Sequence, residues 1–236
     1  MKRINVKGTI ISNDVQWIYD LFDIEATSPN SILNGLESAN GEDVEVVINS
    51  GGGDVFAGSE IYTELKSYSG NVTTKIVGIA ASAASVIAMA GKRVQISPTA
   101  QIMIHNVSSR AGGDYRDMQH EADVLKNYNK SIASAYILKS GMKEEELLEL
   151  MNQETWFNAQ QALENKFVDE ILFEEQTQLV ANLGNSPMIP QQVIDTIRNM
   201  KDQFNPVAST QESDSDILMQ QKAKLNLLKL KGDVKE

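Results

Sequence analysis

An α/β domain is what this sequence predicts, and three observations carry the prediction. Over the first 110 residues, short β-branched runs alternate with segments whose apolar residues recur every three or four positions, the pattern of a layered fold. Two strand-like runs end in small residues, INSGGGD at 48–54 and GIAASAASV at 78–86, where something must approach the backbone closely. The 236 residues suffice for one well-buried core plus an appendage.

The elements follow in order. INVKGTII (4–11) reads as a first strand. SNDVQWIYDLF opens with capping residues and carries Val15, Ile18, Tyr19 and Phe22 at helical spacing, and Ser31 caps a second short helix through Ser38. VEVVIN (44–49) is a buried strand ending at glycines 51–53, after which Ala57, Ile61 and Leu65 form a stripe at spacing four, a helix. NVTTKIV (71–77) is a strand, GIAA a tight turn, and SAASVIAMA (82–90) a buried helix. RVQIS and QIMIH are strands flanking Pro98. From Asp114 to Lys139 one long helix places Met118, Ala122, Leu125, Tyr128, Ile132, Ala135 and Tyr136 three or four residues apart, and Gly141 stops it. GMKEEELLELM (141–151) and NAQQALENK (158–166) are two more helices, and FVDEILF returns to a strand.

The domain ends near 175–180. GNSPMIP is then a linker, PQQVIDTIRNMKD a helix with Pro190 in its first turn, and STQESDSD (209–216) a polar, acidic stretch. ILMQQKAKLNLLKLKG sets Leu218, Leu225 and Leu228 on one face with lysines around it, which suits either a solvated tail or a docking peptide.

Composition narrows the function. A formal net charge of -11 opposes binding to nucleic-acid phosphates, which rests on Lys and Arg displacing counterions. No apolar run approaches the roughly 20 residues that span a bilayer, and no signal-peptide pattern opens the chain, so a cytoplasmic protein is expected. The lack of cysteine excludes disulfides, thiolate catalysis and Cys-ligated zinc. With two histidines, a His-rich metal site is hard to build, and neither metal nor cofactor is expected.

Ser82 opens an apolar helix, so its own N–H and that of Ala83 lie at the positive helix end, a place suited to an alkoxide or to a plain N-cap. The glycines at 51–53 can aim bare N–H groups at an anion; no GK[ST] or G-x-G-x-x-G accompanies them to support a nucleotide. The two small-residue turns close buried strands of one sheet and could share an edge of it, forming an oxyanion hole. His105 closes the strand QIMIH, where it could be a general base or a structural histidine, whereas His120 lies on the polar part of the long helix. The 32 Asp and Glu residues leave the acidic third member open on spacing alone.

INSGGG, GIAAS, IMIHN and ETWFNAQQALENKFVDEIL, in that order from about residue 40 to 173, resemble the proteolytic subunit of the Clp protease. The resemblance implies the Clp/crotonase fold of repeated β-β-α units with a long protruding handle helix at 114–139, a serine endopeptidase, and a homo-oligomeric ring or double ring acting on protein and peptide substrates. It matches Ser82 to the nucleophile, His105 to the general base, Glu154 to the triad acid, and the N–H groups of Gly53 and Ala83 to the oxyanion hole. It makes 1–178 the protease domain and 179–236 a C-terminal extension.

Three departures stand out. Glu154 is one methylene longer than the usual aspartate, Gly51 replaces the usual proline, and the chain starts almost directly with its first strand, without the segment that faces a Clp ATPase. The last departure and the extension resemble the phage and prophage branch that processes capsid and scaffold proteins during head assembly, in the bacterial cytoplasm or the assembling prohead. On that reading an ATPase partner is not expected and 209–216 is a self-cleavage site. The rivals are a Clp-type peptidase working with an ATPase in general turnover, an acyl-CoA enzyme of the same fold, which has no need of the AAS and MIH pair, and an inactive scaffold homologue.

Overall fold

The computed structural model describes residues 1–174; the expectations for the linker, acidic stretch and lysine-rich end lie outside them. The elements run β1 (Lys2–Ile10), a 3-10 turn (Asn13–Val15), α1 (Gln16–Leu21), β2 (Ala26–Thr27), α2 (Pro29–Glu37), β3 (Val44–Gly53), α3 (Val55–Ser67) and β4 (Val72–Ala81). They continue with α4 (Ala83–Ala88), β5 (Arg93–Ile96), β6 (Gln101–Ile104), α5 (Tyr115–Ser140), α6 (Glu144–Asn152), β7 (Thr155–Asn158), α7 (Ala159–Glu164) and β8 (Glu170–Ile171). This is the mixed α/β architecture expected from the sequence and consistent with the Clp/crotonase fold.

The sheet order is β2-β1-β3-β4-β5-β8, all parallel, which buries Val44, Val46, Ile48 and Ile76 on the central strands. Each such aliphatic side chain contributes about 1.5–3 kcal/mol by leaving water. The first half of β4 pairs with β5, from Thr73↔Arg93 to Ile76↔Ile96, and its second half with β6, from Ile79↔Gln101 to Ala81↔Met103. β6 in turn carries β7 antiparallel, the one reversed pair among the described residues. Between the halves of β4, the register with β3 shifts, Ile48 facing Ile76 while Ser50 faces Ala80. The extra residues bend β4 away from β5. The Asn49 side chain occupies the bend and accepts from the Ile79 N–H at 3.2 Å.

Several elements differ from expectation. Glycines 51–53 continue β3, pairing Thr9↔Gly52 and Ile10↔Gly53, and GIAA continues β4 instead of turning; sheet pairing overrides the low strand propensity of these small residues. Ser28, not Ser31, caps α2, and Ser31 is the third helical residue that completes the capping box. The first helix is a 3-10 turn plus six residues with no buried side chain, and Phe22 of its expected apolar stripe is 67% exposed. The long helix has no buried residue before Ala133, so its N-terminal part projects beyond the core. The final strand shortens to two residues. The small strands β2 and β7 escape a periodicity reading because two to four residues do not establish a period.

Capping sets the long helix. Asp114 accepts from the Arg116 N–H at 2.8 Å, Asp117 accepts from the Asp114 N–H at 2.8 Å, and Gly141 ends the helix at φ 73°. Tyr136, Phe157 and Phe167 form an aromatic cluster that ties α5 to β7, with ring centroids 5.9 and 4.9 Å from Phe167. No helix among the described residues is long and apolar enough to cross a membrane.

Candidate active site

Ser82 stands between the end of β4 and the start of α4, with φ 55° and ψ -126°. A serine held there costs of order 1–3 kcal/mol, and the conformation exposes the side chain at a sharp strand-to-helix corner. Neighbours on both sides hold it. Its N–H donates to the Met103 carbonyl of β6 at 3.0 Å, and its carbonyl accepts from the Ser85 N–H at 2.9 Å.

The Met103 bond also sets the distance to the histidine. His105 follows β6 directly, and its Nε2 lies 2.8 Å from Ser82 Oγ, within reach for proton transfer. A proline-flanked strand and a small-residue corner far apart in sequence thus meet because β4 passes from β5 to β6.

The anion-binding half is equally local. Gly52 has φ 95°, and a Cβ there would lie 2.7 Å from both the Ala81 carbonyl oxygen and Ser82 Cβ. Only glycine lets β3 pass this close to the nucleophile. Ser50 secures the approach by donating to the Gly8 carbonyl at 2.6 Å and accepting from the Gly52 N–H at 3.1 Å. At Gly53 a Cβ would lie 2.1 Å from the Ile10 carbonyl oxygen. Asp54 donates its N–H to that carbonyl at 2.8 Å and caps α3, accepting from Ala57 at 2.8 Å. Ala83 is the first residue of α4, so its N–H is one of the donors a helix start leaves without an intrahelical acceptor. At Gly51 a Cβ would meet nothing within 4 Å, so crowding does not demand glycine there.

Gly53, Ser82, Ala83 and His105 line one cleft of about 250 Å³. Val55, Phe56, Val86, Val107, Ile132 and Tyr136 supply its apolar wall. Phe56 is braced edge-on by Tyr128 of α5 at 5.4 Å.

The structure therefore brings Ser82, His105, Gly53 and Ala83 together. Glu154 is a different case. The β6/β7 register pairs Ile104 with Thr155, and His105 and Glu154 are the residues just beyond that last pair. Yet the Glu154 carboxylate accepts from Trp156 Nε1 at 3.4 Å, and among the described residues no hydrogen bond joins it to His105. Glu154 has φ 51°, a left-handed residue between α6 and β7. His120 lies exposed on α5, and no cluster of metal-ligating side chains occurs among the described residues.

Sequence reasoning missed Ser50, Ser85, Tyr136 and Trp156 as participants. Ser50 and Ser85 carried a signal, a polar residue inside an apolar or glycine-rich run that must find a partner once buried. Tyr136 sits in an apolar stripe that gives its hydroxyl no separate signal, and Trp156 has none without β7.

A family model described as Clp protease matches residues 22–175. The chain is 31% identical over 135 residues to the "ATP-dependent Clp protease proteolytic subunit 2" of Tropheryma whipplei (strain Twist), covering 56% of this chain and 75% of that protein. It is 35% identical over 132 residues to "ATP-dependent Clp protease proteolytic subunit 2" of Thermobifida fusca (strain YX), covering 55% and 65%. Against "ATP-dependent Clp protease proteolytic subunit 1" of Chlamydia muridarum (strain MoPn / Nigg), identity is 32% over 162 residues, covering 66% and 78%. The match spans the corner that carries Ser82, the strand before His105 and the pair β6/β7, and on it the chain belongs to the Clp protease family.

Proposed function

We propose that the chain is a serine endopeptidase working through an acyl-enzyme, with Ser82 as nucleophile, His105 as general base, Glu154 as the carboxylate that orients it, and the Gly53 and Ala83 N–H groups as oxyanion hole. The observation that carries this reading is the 2.8 Å contact between Ser82 Oγ and His105 Nε2, made by a serine in a left-handed corner conformation. His105 takes the hydroxyl proton as Ser82 Oγ bonds to the carbonyl carbon. The oxygen gains negative charge against the two N–H groups, a contribution of about 3–4 kcal/mol for each donor. His105 then gives the proton to the amine as the C–N bond breaks, and a water, deprotonated by His105, releases the acid. Glu154 reaches the imidazole by turning away from Trp156.

On this reading the substrates are proteins and peptides, the protomers assemble into homo-oligomeric rings, and no nucleic acid or membrane takes part. The finer role is processing of phage capsid or scaffold proteins in the bacterial cytoplasm or assembling prohead, with 1–178 as the protease domain and 179–236 as an extension removable within 209–216. The sequence resemblance supports it. A second reading, general turnover with an ATPase partner, is favoured by the relatives' names, all "ATP-dependent".

Intact mass of the full chain with and without a fluorophosphonate tests the chemistry. One adduct on the wild type and none on Ser82→Ala is expected; the same mass increase on both, or none on either, removes Ser82 as nucleophile. Incubation with capsid protein, or with a folded substrate plus a Clp ATPase and ATP, separates the two roles, and loss of the tail from wild type alone supports processing.

A further inference from the structure

The corner that carries Ser82 is strained, and the hydrogen bonds that hold it lead deeper than the cleft. Ser85 Oγ lies 2.6 Å from the Ser82 carbonyl oxygen and 2.7 Å from the Tyr136 hydroxyl. A carbonyl only accepts, so the Ser85 proton is committed to Ser82. The Tyr136 hydroxyl must therefore donate to Ser85 Oγ. The result is a directed relay from α5 through the first turn of α4 to the backbone of the nucleophile. Both members are buried, Ser85 fully and Tyr136 to 1% exposure. In such surroundings each bond is electrostatically stronger and the second polarises the first. Burial also raises the Tyr136 hydroxyl well above a phenol's ordinary value, which keeps it protonated as a donor.

We infer that Tyr136 is a positioning residue for the peptidase reaction: through Ser85 it fixes the Ser82 carbonyl, and with it the φ 55° corner that aims Oγ at His105 and the Ala83 N–H at the developing oxyanion. This rests on the reading of Ser82 as nucleophile. Tyr136 has two separable parts. Its ring packs on Phe167 beside the cleft, while its hydroxyl is spent on Ser85. Tyr136→Phe keeps the first and removes the second.

The test is the second-order rate of fluorophosphonate acylation, with kcat and KM for a short peptide, on the full chain in its native assembly. Wild type is compared with Tyr136→Phe, Ser85→Ala, the double variant and Ser82→Ala. A control is Thr74→Val, which removes another buried hydroxyl bond to α4, from Thr74 Oγ1 to the Ala88 carbonyl at 2.8 Å, at the end of the helix away from Ser82. Tyr136→Phe is expected to lower acylation and kcat by about three- to tenfold with KM unchanged, the size of one hydrogen bond. The double variant should be no slower than Ser85→Ala, because both substitutions cut one relay. Thr74→Val should lower the melting temperature and leave acylation at the wild-type rate.

Wild-type acylation by Tyr136→Phe, with Ser82 still labelled, overturns the inference and leaves the peptidase reading intact. Equal slowing by Thr74→Val also overturns it, since general loosening of α4 then suffices. If wild type is not labelled, or Ser82→Ala is labelled as fast, the peptidase reading falls and the inference with it.

Discussion

Gly52 shows how narrowly single residues are constrained at the site. A methyl group there would press on the Ala81 carbonyl and on Ser82, in a backbone region that L residues avoid. Gly52→Ala is expected to abolish peptide hydrolysis while the protein remains folded by circular dichroism, whereas Gly51→Ala, which meets nothing, should retain it. In the ground state the Glu154 carboxylate accepts from Trp156 and not from His105. Glu154→Ala is expected to lower kcat by at least about tenfold if the carboxylate swings to His105 during turnover. An unchanged kcat would place it outside the catalytic group. Ser82 and His105 could be picked out from their motifs, but their 2.8 Å contact could not, since it depends on which strand follows β4 at its bend.

At the scale of elements, capping decides where the long helix begins. Asp114 is held below the ordinary carboxylate range, first by the Arg116 side chain and then by the Arg116 N–H. The sign follows from the depressed value: the cap is fully formed above the ordinary carboxylate range and is lost as pH falls through the folded value. The protection factors of amides in the first turn of α5, taken relative to intrinsic exchange at each pH, should therefore fall in acid in the wild type, and be low at every pH in Asp114→Ala. The strand β7 illustrates the opposite case. Four residues, TWFN, lie between two helical segments and take strand form because the edge of β6 offers unpaired backbone groups. That pairing brings His105, next after β6, and Glu154, just before β7, to the same end of the two strands.

At the scale of the whole molecule, one apolar core among the described residues joins the sheet to α3, α4 and the end of α5. Phe167, fully buried against Tyr136 and Phe157, links the last described elements to the helix that lines the cleft. Phe167→Ala is expected to cost about 3–5 kcal/mol, read from urea unfolding, because the cavity it leaves is walled by rigid rings and strands. The alternation of apolar runs was enough to determine the α/β class and the order of the main elements, since burial period is a property of the chain itself, whereas the roles proposed for Ser82, His105 and Glu154 came from the family resemblance. Glycines 51–53 and GIAA read locally as turns, yet they extend β3 and β4, because a partner strand satisfies backbone groups that an isolated small-residue segment leaves to water. Tertiary structure alone decided the bend of β4, the meeting of Ser82 with His105, the Tyr136–Ser85 relay and the resting place of Glu154. Each depends on register between segments distant in sequence, and no local period encodes register.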